Sequence, residues 1–252
     1  MTYVYHGNDT MSKALTNNFY DLKSNNIDPE HDYIDTILRN INQNNSIIEI
    51  GCGNNRIGHI IETSKNNLIK EYIGLEPDET RYNESKKYET QKFKYLNQFS
   101  NEYIKNNLNK KFDIVIVSQV IQHVSTKTAI EIIGDAQKLL KQNGKLFLST
   151  THVPNEFFSY SKKPNISDSK ENFDKYCNSN NSNNGLPVHM FSRDVLINYI
   201  QVFSDFIVLE WHQYAIVKKQ GLTFMGTIFH NNNINIVKKN GQSQFVVCKK
   251  IN

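Results

Sequence analysis

The chain has 252 residues, 38% of them hydrophobic, which suits one α/β domain with some decoration; no apolar run is long enough to span a membrane. Lys and Arg total 29 against 25 Asp and Glu, a net charge of +4, and the lysines (Lys13, Lys23, Lys65, Lys70, Lys86, Lys87) are scattered rather than gathered into the basic stripe of a nucleic-acid clamp. Cys52, Cys177 and Cys248 lack paired spacing, so neither a metal site nor a disulfide framework is expected, and a reducing, cytoplasmic location is. The opening MTYVYHGNDT has no apolar signal core.

Residues 1–30 are polar with interspersed aromatics, Tyr3, Tyr5, His6, Phe19 and Tyr20. Asp28-Pro29-Glu30 reads as a helix start, because Pro is accepted in the first turn. Tyr33, Ile34, Ile37, Leu38 and Ile41 follow at helical spacing. Residues 47–58, IIEIGCGNNRIG, then read as a buried strand, a turn at Gly51-Cys52-Gly53 and a helix from about Arg56 with Ile57, Ile60 and Ile61 on one face. Strand, glycine turn and helix form the nucleotide-binding corner of a doubly wound sheet. Glycine permits φ > 0 and lets a ligand touch the backbone, and the helix start offers unpaired N–H groups to an anionic ligand group. The dinucleotide pattern G-x-G-x-x-G fails at Arg56, which disfavours an NAD-dependent oxidoreductase.

The second strand, residues 72–75, ends in Glu76-Pro77-Asp78, and Glu76 lies 25 positions after Gly51. A carboxylate at that tip can accept hydrogen bonds from ribose hydroxyls, or it can cap the following helix. A third strand over 93–96 leads to Asn97 and Gln98, and a fourth over 112–117 leads to Ser118, Gln119 and His123. Ligands in such sheets sit beyond the carboxyl ends of the strands, so Ser118 and Gln119 face the reacting group. A helix over 126–141 turns Ile130, Ile133, Ala136 and Leu139 or Leu140 inward, Asn143-Gly144 stops it, and a fifth strand over 145–150 delivers Thr150, Thr151 and His152 to the same edge.

Residues 153–188 read as an insertion. Pro154, Phe157, Phe158 and Tyr160 precede a stretch nearly bare of aliphatics, the pattern of a functional lid or a flexible loop, with a spacer-like Asn/Ser tract over 178–184. Ser192 is the expected N-cap of a helix with Val195, Leu196, Tyr199 and Ile200 inward. Strands are expected over 206–211 and 245–249, with 215–243 hard to place.

Glu49, Gly51 and Gly53, with Asn55 where a third glycine is usual, resemble the first motif of the class I S-adenosylmethionine-dependent methyltransferases. Asn tolerates the left-handed region, so the turn survives the exchange. Glu76 at its spacing, the Phe112-Asp113 pair opening the fourth strand and LLKQNGKLFLST extend the resemblance over about residues 31–150, and more loosely over 187–252. It implies a single domain over 1–252, with a lid and helix (1–45), a cofactor-binding core (46–152), the insertion and a substrate-side portion (189–252). The implied fold is α/β: a doubly wound, mostly parallel seven-stranded sheet with helices on both faces and an antiparallel last strand.

The resemblance further implies S-adenosyl-L-methionine as cofactor, held by Glu49, Gly51, Cys52, Gly53, Asn55, Glu76, Pro77, Asn97, Gln98, Ser118 and Gln119, and S-adenosyl-L-homocysteine as product. The aromatics before residue 31 either cover the cofactor or pack the first helix. A methyl on a sulfonium needs chiefly an aligned nucleophile, but a hydroxyl or protonated amine gains from a base. His152, His189 and His123 are the candidates; His123 and His189 equally suit structural hydrogen bonds. With no basic stripe, the expected acceptor is an oxygen or nitrogen of a small molecule. The alternatives are RNA or protein methylation, with Lys162 and Lys163 helping to dock the polymer, and a non-catalytic cofactor-binding subunit.

Overall fold

A computed structural model describes residues 31–181, 183–214 and 242–251. The expected helix start at Asp28-Pro29-Glu30, the aromatics before it and most of the hard-to-place segment lie outside the described residues. Seven strands form the main sheet: β1 (Asn45–Ile50), β2 (Ile69–Leu75), β3 (Phe93–Leu96), β4 (Phe112–Ser118), β5 (Leu140–His152), β9 (Phe206–Tyr214) and β10 (Gln242–Lys250). Their order is β3-β2-β1-β4-β5-β10-β9. All pairings are parallel except those of β10, which runs antiparallel between β5 and β9. The chain steps outward from β1 to β3 and then returns to the far side of β1 with β4. That reversal opens a crevice above the carboxyl ends of β1 and β4, where ligands of such sheets bind.

Strand alternation assigns each side of the sheet its helices. Ile48, Ile50, Val115 and Val117 pack against α4 (Ser100–Asn106), α5 (Thr126–Leu139) and α7 (Arg193–Gln201), which supply Tyr103, Ile132, Ile133, Leu196 and Ile200. Ile47, Ile114, Ile116 and Phe147 point the other way, toward α1 (His31–Asn40) and α2 (Arg56–Lys65), which supply Tyr33, Ile34, Ile37, Ile57 and Ile61. Tyr33 is fully buried and donates its hydroxyl to the Phe147 carbonyl, 3.0 Å away. The polar tip of an otherwise apolar side chain is thereby satisfied.

Several strands run longer than the sequence expectation, and one helix ends sooner. The helix over 126–141 ends at Leu139, and Asn143-Gly144 does not stop it. Leu140 already pairs with Phe112 in the sheet, and Asn143 takes a left-handed φ of 63° in the irregular stretch before Lys145 meets Ile114. The larger correction concerns the insertion. Instead of a loop without secondary structure it contains β6 (Phe157–Tyr160), β7 (Lys163–Asp168), α6 (Lys170–Cys177) and β8 (Pro187–Met190). The three strands make a small antiparallel sheet, β7-β6-β8, and α6 packs Phe173, Tyr176 and Cys177 on Phe158 and Tyr160. Aromatic side chains supply this small core, which is why a count of aliphatics misses it.

Candidate active site

The glycine turn after β1 is held by left-handed backbone at Gly51 (φ 73°), Gly53 (φ 57°) and Asn55 (φ 73°). A Cβ on Gly51 would stand 2.5 Å from the Val120 Cγ2, whereas one on Gly53 would meet nothing within 4 Å. Asn55 is buried at the N-cap of α2, yet its Oδ1 accepts from the Tyr95 hydroxyl at 2.5 Å instead of capping the helix. Three N–H groups of the turn are engaged within the protein. Gly51 and Cys52 donate to the Leu75 carbonyl, at 2.8 and 3.0 Å, and Gly53 donates to the Glu76 Oε2 at 2.8 Å. The anion grip anticipated from free N–H groups at this turn is therefore not available from these three.

Glu76 ties two strand tips together. Besides Gly53 it accepts from the Asp78 N–H at 2.9 Å through Oε1. Burial raises its pKa, against the pull of Arg81 and of the two backbone donors. It does not cap the next helix, α3 (Glu79–Lys86): Asp78 holds that position and accepts from Arg81 N. Glu49 is buried on the α1/α2 side, with its carboxylate accepting from the Tyr72 hydroxyl. The Cys52 thiol belongs to the same side, packed against Gly74 and Tyr95. A Cβ on Gly74 would come within 2.8 Å of that sulfur, so the close approach of turn and strand needs glycine there.

Beyond β4 the backbone is again left-handed at Gln119 (φ 55°), a costly conformation for a residue with a Cβ. Ser118 and Ser149 share a hydroxyl–hydroxyl bond of 3.1 Å. Gln122 is fully buried, donates to the Gln119 Oε1 at 2.6 Å and accepts from the Thr150 hydroxyl at 3.0 Å. This chain fixes the ends of β4 and β5 relative to one another. A cavity of about 60 Å³ lies between the strand tips, walled by Ile50, Leu75, Pro77, Phe99, Val120 and Val124. Gly51, Gln98 and His123 also face it, and so do Cys177 at the end of α6 and Asn178 just after it. Asn97 is exposed, and its amide donates to the Glu76 carbonyl at 2.9 Å.

The three candidate histidines occupy different surroundings. The His123 Nδ1 lies 2.8 Å from the Pro187 carbonyl, and burial lowers its pKa to about 4. His189 is fully buried and donates from Nε2 to the Glu156 carboxylate at 2.5 Å. Its ring is stacked on Phe191 at 3.7 Å, with Phe158, Phe173 and Tyr199 around it. Burial holds its pKa down despite Glu156. His152, at the end of β5, is half-buried with its edge toward Trp211. Desolvation lowers its pKa also, and its Nδ1 has no hydrogen-bond partner.

The insertion is pinned over this edge by hydrogen bonds. The Thr151 hydroxyl donates to the His189 carbonyl at 2.8 Å. Ser125 is the N-cap of α5, and Asp174 of α6 adds a second tie to its first turn, accepting from the Thr126 N–H at 2.7 Å and from its hydroxyl at 2.6 Å. Sequence reasoning passed over Asp174, Glu156, Val120, Gln122 and Gln244. One signal was available: Phe173, Tyr176 and Cys177 stand at i, i+3 and i+4, the stripe of a short amphipathic helix.

The strand order, with β10 reversed, and the glycine turn beside an acidic β2 tip define the architecture of the class I methyltransferases. Residues 48–146 match the family model for a methyltransferase domain, and no curated protein matches the chain in sequence. Among solved structures it resembles Burkholderia thailandensis 1,6-didemethyltoxoflavin-N1-methyltransferase, which holds 1,6-didemethyltoxoflavin and S-adenosylhomocysteine. The TM-score is 0.59 at 8% identity, over 96% of this chain and 88% of that one. It also resembles the N-methyltransferase NodS from Bradyrhizobium japonicum WM9, with a TM-score of 0.53 at 12% identity over 89% and 97% of the two chains. A third likeness is to a Haloferax volcanii structure of a methyltransferase in complex with the Trm112 methyltransferase activator, with a TM-score of 0.58 at 9% identity over 96% and 93%. Residues 48–146 thus carry a methyltransferase domain, in a chain with the fold of the class I methyltransferases.

Proposed function

We propose that this chain is an enzyme that transfers a methyl group from S-adenosylmethionine, its cofactor, to an oxygen or nitrogen of a small-molecule acceptor. The observation that carries the reading is the folded roof over the carboxyl ends of β4 and β5. The insertion is pinned there at Thr126, Thr151 and His123, by Asp174, His189 and Pro187. A roof of this kind favours a metabolite-sized acceptor over a polymer, which needs an open approach. Two structural relatives, both N-methyltransferases and one bound to a small heterocycle, point the same way. Among the described residues no helix is long and apolar enough to cross a membrane.

The residues suit the cofactor. Glu76 already uses lone pairs for Gly53 and Asp78, and a carboxylate has about four acceptor sites, so it can also take ribose hydroxyls. The open space beside Gly53 gives a ligand the approach a side chain would deny. Leu75, Pro77, Val120 and Val124 form apolar walls for a flat ring, and Ser118 and Gln119 hold the end of β4 toward the methionyl part. Asn55, Glu49 and Cys52 act from behind, keeping the turn in its left-handed path through Tyr95, Tyr72 and Gly74.

When bound, the cofactor supplies an electrophilic methyl group on its sulfonium. The chain's own task is then to align the acceptor and remove its proton. His152 is the base in this reading. Its depressed pKa keeps the ring neutral at neutral pH, and its Nδ1 carries no other bond. His189 orders the roof, because its enclosed ring would have to leave a cage of aromatic side chains to meet an acceptor. The test is a panel of small hydroxyl and amine compounds offered with labelled methyl donor, run beside RNA and protein substrates. Label entering RNA or protein alone would overturn the small-molecule assignment.

A further inference from the structure

One acceptor atom at the cofactor cavity is left unsatisfied by the protein. His123 lines the cavity, and its Nδ1 faces the Pro187 carbonyl at 2.8 Å. A carbonyl only accepts, so Nδ1 carries the ring proton and Nε2 is a bare acceptor. That Nε2 is buried and has no hydrogen-bond partner. An acceptor left so is destabilising unless a ligand supplies a donor.

The neighbouring polar groups are either occupied within the protein or, like the amides of Gln98 and Asn178, reach the surface where water can meet them. The Ser100 hydroxyl donates to Asp135 at 2.8 Å, and the Ser125 hydroxyl donates to Thr128 and accepts from its N–H. Asn97, the residue after β3, spends its amide on the Glu76 carbonyl and is exposed.

We propose that the His123 Nε2 accepts a hydrogen bond from the exocyclic amino group of the cofactor's adenine, so that the turn after β4 distinguishes adenine from other purines. This rests on the placement of the cofactor in this cleft. The apolar walls of Leu75, Pro77, Val120 and Val124 take the faces and edges of a ring, and the donor that ring presents at its six-position meets the acceptor that, among the described lining residues, is both buried and empty. A 6-oxo purine would set an oxygen against the Nε2 lone pair. The depressed pKa of His123, about 4, keeps that lone pair available at neutral pH. Pro187 belongs to the insertion, so the roof sets the tautomer that reads the base.

The experiment is calorimetric titration of the whole protein with S-adenosylhomocysteine and with S-inosylhomocysteine. The wild type should prefer the adenosyl compound by about ten- to a hundred-fold, the worth of one buried hydrogen bond with its partner left empty. His123→Phe should bring the two affinities within about three-fold, chiefly by weakening the adenosyl compound. His123→Gln, which keeps an acceptor oxygen, should retain part of the preference. Should the Phe variant not fold, the wild type carries the test alone: its preference should narrow as pH falls from 6.5 toward 4, because protonated Nε2 becomes a donor that suits the 6-oxo group. A wild type that binds neither compound refutes the placement of the cofactor. A wild type that binds the adenosyl compound, paired with a folded Phe variant of undiminished preference or with a preference that ignores pH, overturns the role of His123 alone.

Discussion

Exchanging Gly51 and Gly53 separately for alanine should give two proteins with different defects. Both positions are left-handed, at φ 73° and 57°, so either alanine costs about 1–2 kcal/mol of backbone strain. At Gly53 nothing in the protein lies within 4 Å of the new methyl, and the strain is the whole cost to the fold. At Gly51 the methyl would stand 2.5 Å from Val120 Cγ2, on a β-branched side chain with few rotamers to move into. Overpacking of that kind adds about 1–3 kcal/mol, for roughly 2–5 kcal/mol in all. In a chain of this size 1 kcal/mol moves Tm by about 2–4 °C. Gly53→Ala should therefore melt roughly 2–8 °C below wild type, and Gly51→Ala about 4–20 °C below. Binding should divide the variants the other way. The methyl at residue 53 enters the space left for the ligand, and S-adenosylhomocysteine affinity should fall on the order of ten-fold or more while most of the stability remains. Differential scanning fluorimetry and calorimetric titration read both quantities. Equal melting temperatures for the two variants would refute the packing argument. Unchanged affinity in Gly53→Ala would show that the cofactor does not pass over this turn.

Other expectations follow from named contacts. Glu76→Gln should weaken S-adenosylhomocysteine by about five- to a hundred-fold and also lower stability, since the new amide sets a donor against Gly53 or Asp78 N–H; a loss of Tm with intact affinity would reduce Glu76 to a structural tie. Asp174→Ala removes two hydrogen bonds to Thr126 in the first turn of α5, leaving the Ser125 cap in place, and should cost about 1–2 kcal/mol in urea denaturation; no change there would mean that α6 is not latched to Thr126. His152→Ala should lower kcat for a hydroxyl or protonated-amine acceptor by about 100-fold or more without altering S-adenosylhomocysteine affinity, and an unaltered rate rules His152 out as base. His123, His152 and His189 all have pKa values held below 6.5 by burial, so the folded state binds fewer protons than the unfolded chain. Their contribution is fully present above pH 6.5 and is lost as pH falls through the folded values, so unfolding free energy measured at descending pH should decline from about 6.5; a flat profile contradicts their burial as neutral rings.

How much of this could be read without coordinates depends on the range of each signal. Strands β1 to β4, the helix α2 between the first two and the Ser192 cap were legible, because apolar periodicity and capping act within a few residues. The left-handed Asn55 was legible for the same reason: its conformation is a property of the residue type. Residues 157–177 were not, because their small core forms only when aromatic side chains from β6 and α6 meet. The allotment of hydrogen bonds was equally hidden. Sequence placed Glu76 at a strand tip, but only packing decided that its oxygens hold Gly53 and Asp78 while Asp78 caps the helix.

The sequence by itself therefore determined the succession of the main-sheet strands and the turn that makes the crevice, since both are written in local backbone preference and in which face of each element is apolar. Tertiary structure decided what stands in the crevice: Val120 against Gly51, a tautomer of His123 fixed by Pro187, and a roof fastened to α5 through Asp174. Those contacts join residues far apart in the chain, and their energy exists only once the elements have packed.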